Sequence, residues 1–210
     1  MTVPLWVTLV TAAIFGCSAY LALNSAAAIY GKVEPVRGGA KPGAREATVS
    51  IVVATIFGGT LAARGTPLVD LAVADVVIVG LSGAIWTDRT RGTVADWFTL
   101  PPLGLVLGLA AFRGSIVATA LAATLVTLPF AVAALVSKGK GLSFGDVTIV
   151  AIGAAVMDAQ TAIIVYAAVC FIACAVAVAR RRQTEPFAIS PYLAAAIAVG
   201  LLFPAERTFF

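Results

Sequence analysis

The sequence predicts an all-α fold: a polytopic bundle of about eight transmembrane helices, forming one integral-membrane domain over residues 1–210. Three observations lead there. Hydrophobic residues make up 61% of the 210, charged residues only 11%, and the mean hydropathy is +1.04. A soluble domain carries about 25% charge and about 45–50% apolar residues, so this excess faces lipid or neighbouring helices. The apolar residues fall into runs near the ~20 that a spanning helix needs. Between the runs stand helix breakers, and backbone polar groups inside lipid are satisfied most simply within helices.

The segments follow in order. The first span covers 3–29; Met1 to Trp6 contains no Lys or Arg, and the apolar run reaches Ile29, too long for the apolar region of a cleavable signal. Phe15-Gly16-Cys17 is faintly similar to a lipoprotein cleavage box, but the basic leader is missing. Gly38-Gly39 and Pro42-Gly43 separate that span from 47–64, and Gly65-Thr66-Pro67 opens 68–87. Asp96, a residue type that favours helix caps, precedes a span over 97–112. A span over 115–136 ends before Gly139 and Gly141, and Pro186 precedes the last, 188–204.

Residues 147–179 are apolar almost throughout. As one helix they would run about 50 Å at 1.5 Å per residue, against a hydrocarbon core of about 30 Å. A break at Met157-Asp158 gives spans 147–157 and 159–179, the first too short to cross fully without tilting or stopping part-way. Charge supports the break. With it, and with both termini extracytoplasmic, the cytoplasmic connections are 30–46, 88–96, 137–146 and 180–187. They hold Lys32, Arg37, Lys41, Arg45, Arg89, Arg91, Lys138, Lys140, Arg180, Arg181 and Arg182, which is 11 of the 14 basic residues. Without it the Arg180–Arg182 cluster falls outside, against the positive-inside rule. The implied location is the inner (cytoplasmic) membrane of the cell, with lipid as the constant partner.

Composition also narrows the chemistry. There is no histidine, hence no ordinary general base and none of the commonest metal ligand. Cys170 and Cys174 lie four apart on one helix face and Cys17 is remote, a pattern of small core residues rather than of a zinc site or disulfide framework. No cofactor and no metal is expected. The net charge of +4 is spread over short connections, so nucleic-acid binding does not explain the pI near 9.2. Oligomeric state is not legible.

The remaining chemistry lies in carboxylates, which are costly within or beside a membrane helix. Asp70 suits the first turn of the third helix, where the positive end of the macrodipole favours an acid. Asp75 is deeper in the same helix, with no evident partner in the sequence. Asp158 belongs to an outer turn. Asp88 and Asp146 differ: one ends the third span, the other opens the sixth, and the topology puts both at the cytoplasmic face. Two readings stay open, helix-end caps and a paired site. The N-cap reading suits Asp146, preceded by Gly145, whose freedom allows a positive φ or a close approach. It suits Asp88 poorly, because an acid at a helix C-terminus opposes the dipole.

Around these residues the chain resembles the type IV prepilin peptidases, membrane aspartyl proteases of the GxGD class. Their first motif is roughly Asp-x-x-Thr-x-x-Ile-Pro-Asn-x-x-Thr. The stretch from Asp88 through Thr93-Val94-Ala95-Asp96 to Thr99 is similar, with Val94-Ala95 in place of Ile-Pro and Asp96 in place of Asn. Their second motif, Gly-x-Gly-Asp-x-Lys-Leu, is matched by Ser143-Phe144-Gly145-Asp146-Val147-Thr148-Ile149, with Ser143 for the first glycine and Thr148 for the lysine. Pro186-Phe187 and Pro191-Tyr192-Leu193 are similar to the family's C-terminal Pro-Phe-Gly-Pro-Phe stretch, and the resemblance spans about residues 68–204.

The resemblance implies an endopeptidase with Asp88 and Asp146 as catalytic residues, supported by Gly145, Asp96 and Ser143. Its substrates would be pilin-like precursors with a basic leader and a hydrophobic helix, cut at the cytoplasmic membrane face in type IV pilus assembly or protein secretion. The bifunctional members carry paired CxxC motifs in a cytoplasmic loop; the loop at about 31–46 has no Cys, which implies neither zinc nor methyltransferase activity. The replacements at 96, 143 and 148 support an alternative, a non-catalytic transporter-like or scaffolding bundle that keeps the fold.

Overall fold

The structure, a computed structural model, describes residues 3–30, 43–138, 142–157, 159–179 and 189–202. Eight α-helices, and no strand among the described residues, follow in order: α1 Leu5–Tyr30, α2 Ala44–Ala63, α3 Leu68–Arg91, α4 Asp96–Phe112, α5 Ile116–Val136, α6 Phe144–Val156, α7 Ala159–Ala179 and α8 Ser190–Leu202. Five of them (α1, α2, α3, α5 and α7) are long and apolar enough to cross a membrane, which makes this a multi-pass membrane protein. The expected break is present. Met157 leaves helical geometry for an extended backbone (φ −104°, ψ 160°), and α7 begins at Ala159.

Two boundaries move. The third helix does not end at Thr87 but runs one turn further, until Gly92 adopts a left-handed φ of +71° and its N–H donates to the carbonyl of Asp88. Glycine takes that conformation without the Cβ penalty, so the stop lies where the backbone reverses rather than where hydropathy falls. The sixth helix starts three residues early, at Phe144, because Ser143 caps it.

The chain divides into two compact units, Met1–Phe98 and Thr99–Phe210. In the first, α1 and α2 approach through small residues, as membrane helices do. The Thr55 side chain lies over Gly16, the Phe15 ring lies over Gly58, and Phe15 meets Phe57 with ring centroids 6.0 Å apart. α3 packs on α1 near its C-terminal end, where Trp86 is buried with Leu23, Ala26 and Ala27. The side chains turned outward, among them Leu5, Leu9, Val52, Ile56 and Leu68, are large and apolar, as a lipid-facing surface requires.

In the second unit α6 is the centre. At 13 residues it is about 20 Å long, shorter than the hydrocarbon core of about 30 Å, and its side chains are mostly buried, with Ile149, Val150, Ile152 and Ala154 fully so. It packs on α5, α7 and α8. Gly153 is the close-approach point. The Tyr166 hydroxyl of α7 lies over it and donates to the Val150 carbonyl at 3.2 Å, while Ile197 of α8 closes the other side. Phe130 of α5 meets the Tyr166 ring edge-on at 5.8 Å, and the Met157 sulfur lies over Gly200 of α8.

Candidate active site

Asp146 is held by a local device and a distant one. Ser143 has the extended backbone of an N-cap (φ −82°, ψ 160°), and its Oγ accepts from the Asp146 N–H at 3.2 Å. In return Asp146 Oδ2 accepts from the Ser143 N–H at 2.9 Å and from the Ser143 hydroxyl at 2.8 Å, a complete capping box. The other oxygen, Oδ1, accepts from the Ser190 hydroxyl at 2.9 Å, across 44 residues of sequence. Asp146 is 4% exposed and Ser190 0%. This corrects the sequence reading in two respects. The N-cap is Ser143, and Asp146 sits at the third helical position. Gly145 has no positive φ; it is a buried residue of the first turn. Thr148, one turn on, returns its hydroxyl to the Phe144 carbonyl at 3.1 Å.

Asp88 lies in the last turn of α3 and is 7% exposed. At 3.6 residues per turn it shares one stripe of the helix with Asp70, Ala74, Val77, Leu81 and Ala84, all buried. The turn after it is tied down. The Thr87 hydroxyl donates to the Ala84 carbonyl at 2.9 Å and accepts from the Ala95 N–H at 3.2 Å, so the segment leading to Asp96 folds back on the helix that carries Asp88. Phe98 lies over Gly83. Asp96, expected as a cap, is the first residue of α4 itself, with the Ala95 carbonyl accepting from the Phe98 N–H at 3.0 Å. An acid there still meets the positive end of the helix dipole. On the outer flank of α3, Arg89 reaches Glu46 of α2 at 3.4 Å, an exposed pair.

Compared with protein-family models, curated proteins and solved structures, the chain matches none. The reading of the site therefore rests on the residues.

Two groups were not anticipated. Asp75 has a partner after all: the Ser18 hydroxyl of α1 donates to its Oδ2 at 2.9 Å, while Oδ1 is buried with no partner among the described residues. Ser190 was hidden in the final span. Its signal was local, a small hydroxyl residue before Pro191, the pair that commonly opens a helix. Of the acids set aside, Asp70 is buried in the first turn of α3, and Asp158 lies outside the described residues, as do the connections 31–42 and 180–188. No cluster of three or more His, Cys, Asp or Glu is found among the described residues.

Proposed function

We propose that this chain is an aspartyl endopeptidase of the membrane, removing the leader of pilin-like precursors at the cytoplasmic face. Asp88 and Asp146 carry the reaction in this reading, in a bundle of eight membrane segments with both termini outside. The observation that carries it is the setting of Asp146. A buried carboxylate in an apolar helix unit satisfies its helix cap with one oxygen and commits the other to a second helix. A buried acid is expensive unless fully partnered, and a helix start needs only one acceptor oxygen.

The chemistry needs no histidine. Two carboxyl groups that share a proton divide the work. The ionised one takes a proton from water as the water oxygen bonds to the scissile carbonyl carbon. The protonated one gives its proton to the carbonyl oxygen. When the tetrahedral intermediate collapses, the C–N bond breaks, the amine leaves with a proton from one carboxyl, and the other carboxylate takes a hydroxyl proton of the intermediate, so the product acid forms and the pair again shares one proton. The coupled pair titrates as a unit, so the two roles belong to the pair. Ser143, where the resemblance has glycine, fits this scheme. Its extended backbone does not need glycine, and its hydroxyl gives Asp146 a hydrogen bond that glycine lacks.

The test is co-expression with a precursor carrying a basic leader and a hydrophobic helix. Wild type yields the shortened product on a gel; Asp88→Ala and Asp146→Ala each yield none at normal expression. Retained cleavage in either variant removes the assignment. One observation favours a second reading, a non-catalytic bundle: every described bond of Asp146 also serves to staple α6 to its cap and to α8. Asp146→Asn separates the two, since an amide keeps one acceptor oxygen for the cap but abolishes the acid chemistry. A scaffold would keep its cellular role in that variant.

A further inference from the structure

We propose that Ser190 is a positioning residue for Asp146, fixing the plane of its carboxylate so that one acceptor direction on Oδ1 stays aimed at the attacking water. The inference rests on the protease reading above and adds to it a residue from the last helix.

The terminal bond of an aspartate is broad and nearly two-fold, so a carboxylate gripped at one oxygen still swings. The capping box grips only Oδ2. The Ser190 hydroxyl, donating to Oδ1 at 2.9 Å, supplies the second point that stops the swing. An ionised carboxylate offers about four acceptor sites. Oδ2 uses two of them on Ser143 and Oδ1 uses one on Ser190, leaving one on Oδ1.

Ser190 is itself firmly placed. It is the first residue of α8, and Pro191 fixes φ at the next position. The Ile189 carbonyl closes the turn by accepting from the N–H groups of Tyr192 and Leu193 at 2.9 and 3.1 Å. α8 is seated on the α6 end of the unit where Ile197 meets Gly153 and Met157 meets Gly200. Such a fixed donor on a reacting group sets geometry in the way that supporting shells of functional sites do. A helix cap alone would not need it.

The test uses the full-length protein in proteoliposomes and a reporter precursor with a basic leader and a hydrophobic helix. Wild type, Ser190→Ala and Ser190→Cys are compared; cysteine keeps the size but donates weakly. The expected result is a kcat lowered about ten- to hundred-fold in both variants, the range for losing one hydrogen bond to a charged group, with KM within about two-fold. A merely structural serine would show a normal kcat in whichever variant folds, since folded molecules would retain the site. Normal kcat in Ser190→Cys with wild-type cleavage intact overturns this inference and leaves the protease reading standing. Absence of cleavage by wild type, under conditions where the reporter is inserted, overturns the protease reading and this inference with it.

Discussion

Gly153→Ala tests the packing that sets α6, and with it Asp146, in place. A Cβ built on Gly153 overlaps the Tyr166 hydroxyl, and it would stand 2.6 Å from Ile197 Cγ1 and 2.9 Å from Tyr166 Cζ. Neither neighbour can retreat easily, since Tyr166 and Ile197 are both fully buried. Overpacking a tight core costs about 1–3 kcal/mol. Displacing the tyrosine also sacrifices its bond to the Val150 carbonyl, about 1 kcal/mol more. A loss of about 2–4 kcal/mol corresponds to roughly 5–15 °C in melting temperature for a chain of this size.

The assay is thermal unfolding of the detergent-solubilised protein, followed by helical signal and by aggregation, for a full cycle. Tyr166→Phe alone removes only the hydroxyl and costs about 1 kcal/mol. Combined with Gly153→Ala it removes the worst overlap, so the double variant is expected to be more stable than the two separate losses added together. Contacting residues couple in this way, and distant ones do not. Strict additivity, or a Gly153→Ala protein melting within a degree of wild type, refutes the claim that Gly153 is the close-approach point of α6.

Three further perturbations read other parts of the molecule. Ser18→Ala leaves the Asp75 carboxyl without its described donor and is expected to cost about 1–3 kcal/mol, whereas Ser18→Ala with Asp75→Ala together costs less; thermal melts of both variants check the order. Gly92→Ala has free space around the new Cβ but must adopt φ near +71°, so a loss of about 1–2 kcal/mol without any change in expression is expected, again read by melting. Arg89→Ala breaks an ion pair whose side chains are 56% and 40% exposed, and its effect stays below about 1 kcal/mol and fades further in high salt.

How much of this was legible in the sequence depends on the range of the interaction. Helix positions were readable because apolar runs and breakers are local: the Gly65-Thr66-Pro67 turn and the break at Met157 appear where composition and charge put them. The errors came where one signal overrode another. Hydropathy falls at Asp88, but the backbone reverses only at Gly92, so Asp88 stands inside a helical turn. Ser143-x-x-Asp146 is itself a capping-box pattern, yet as part of a motif comparison its serine read as a missing glycine. Long-range pairs left no trace at all. Nothing in the chain announces that Ser18 meets Asp75 across 57 positions or that Ser190 meets Asp146 across 44, because such pairings are decided by how helices pack.

Under the protease proposal, those pairings also bear on how a capping residue could be a reacting one. A cap requires its acceptor to stay engaged, whereas a catalytic carboxylate requires a lone pair open to water, and one oxygen cannot serve both. Asp146 divides the demands: Oδ2 faces its own helix through Ser143, and Oδ1 faces Ser190 with an acceptor direction to spare. The division depends on α6 being short and buried. Here the helix starts beside α8, so the cap, the distant donor and the buried acid are brought to one point by the same packing that closes on Gly153.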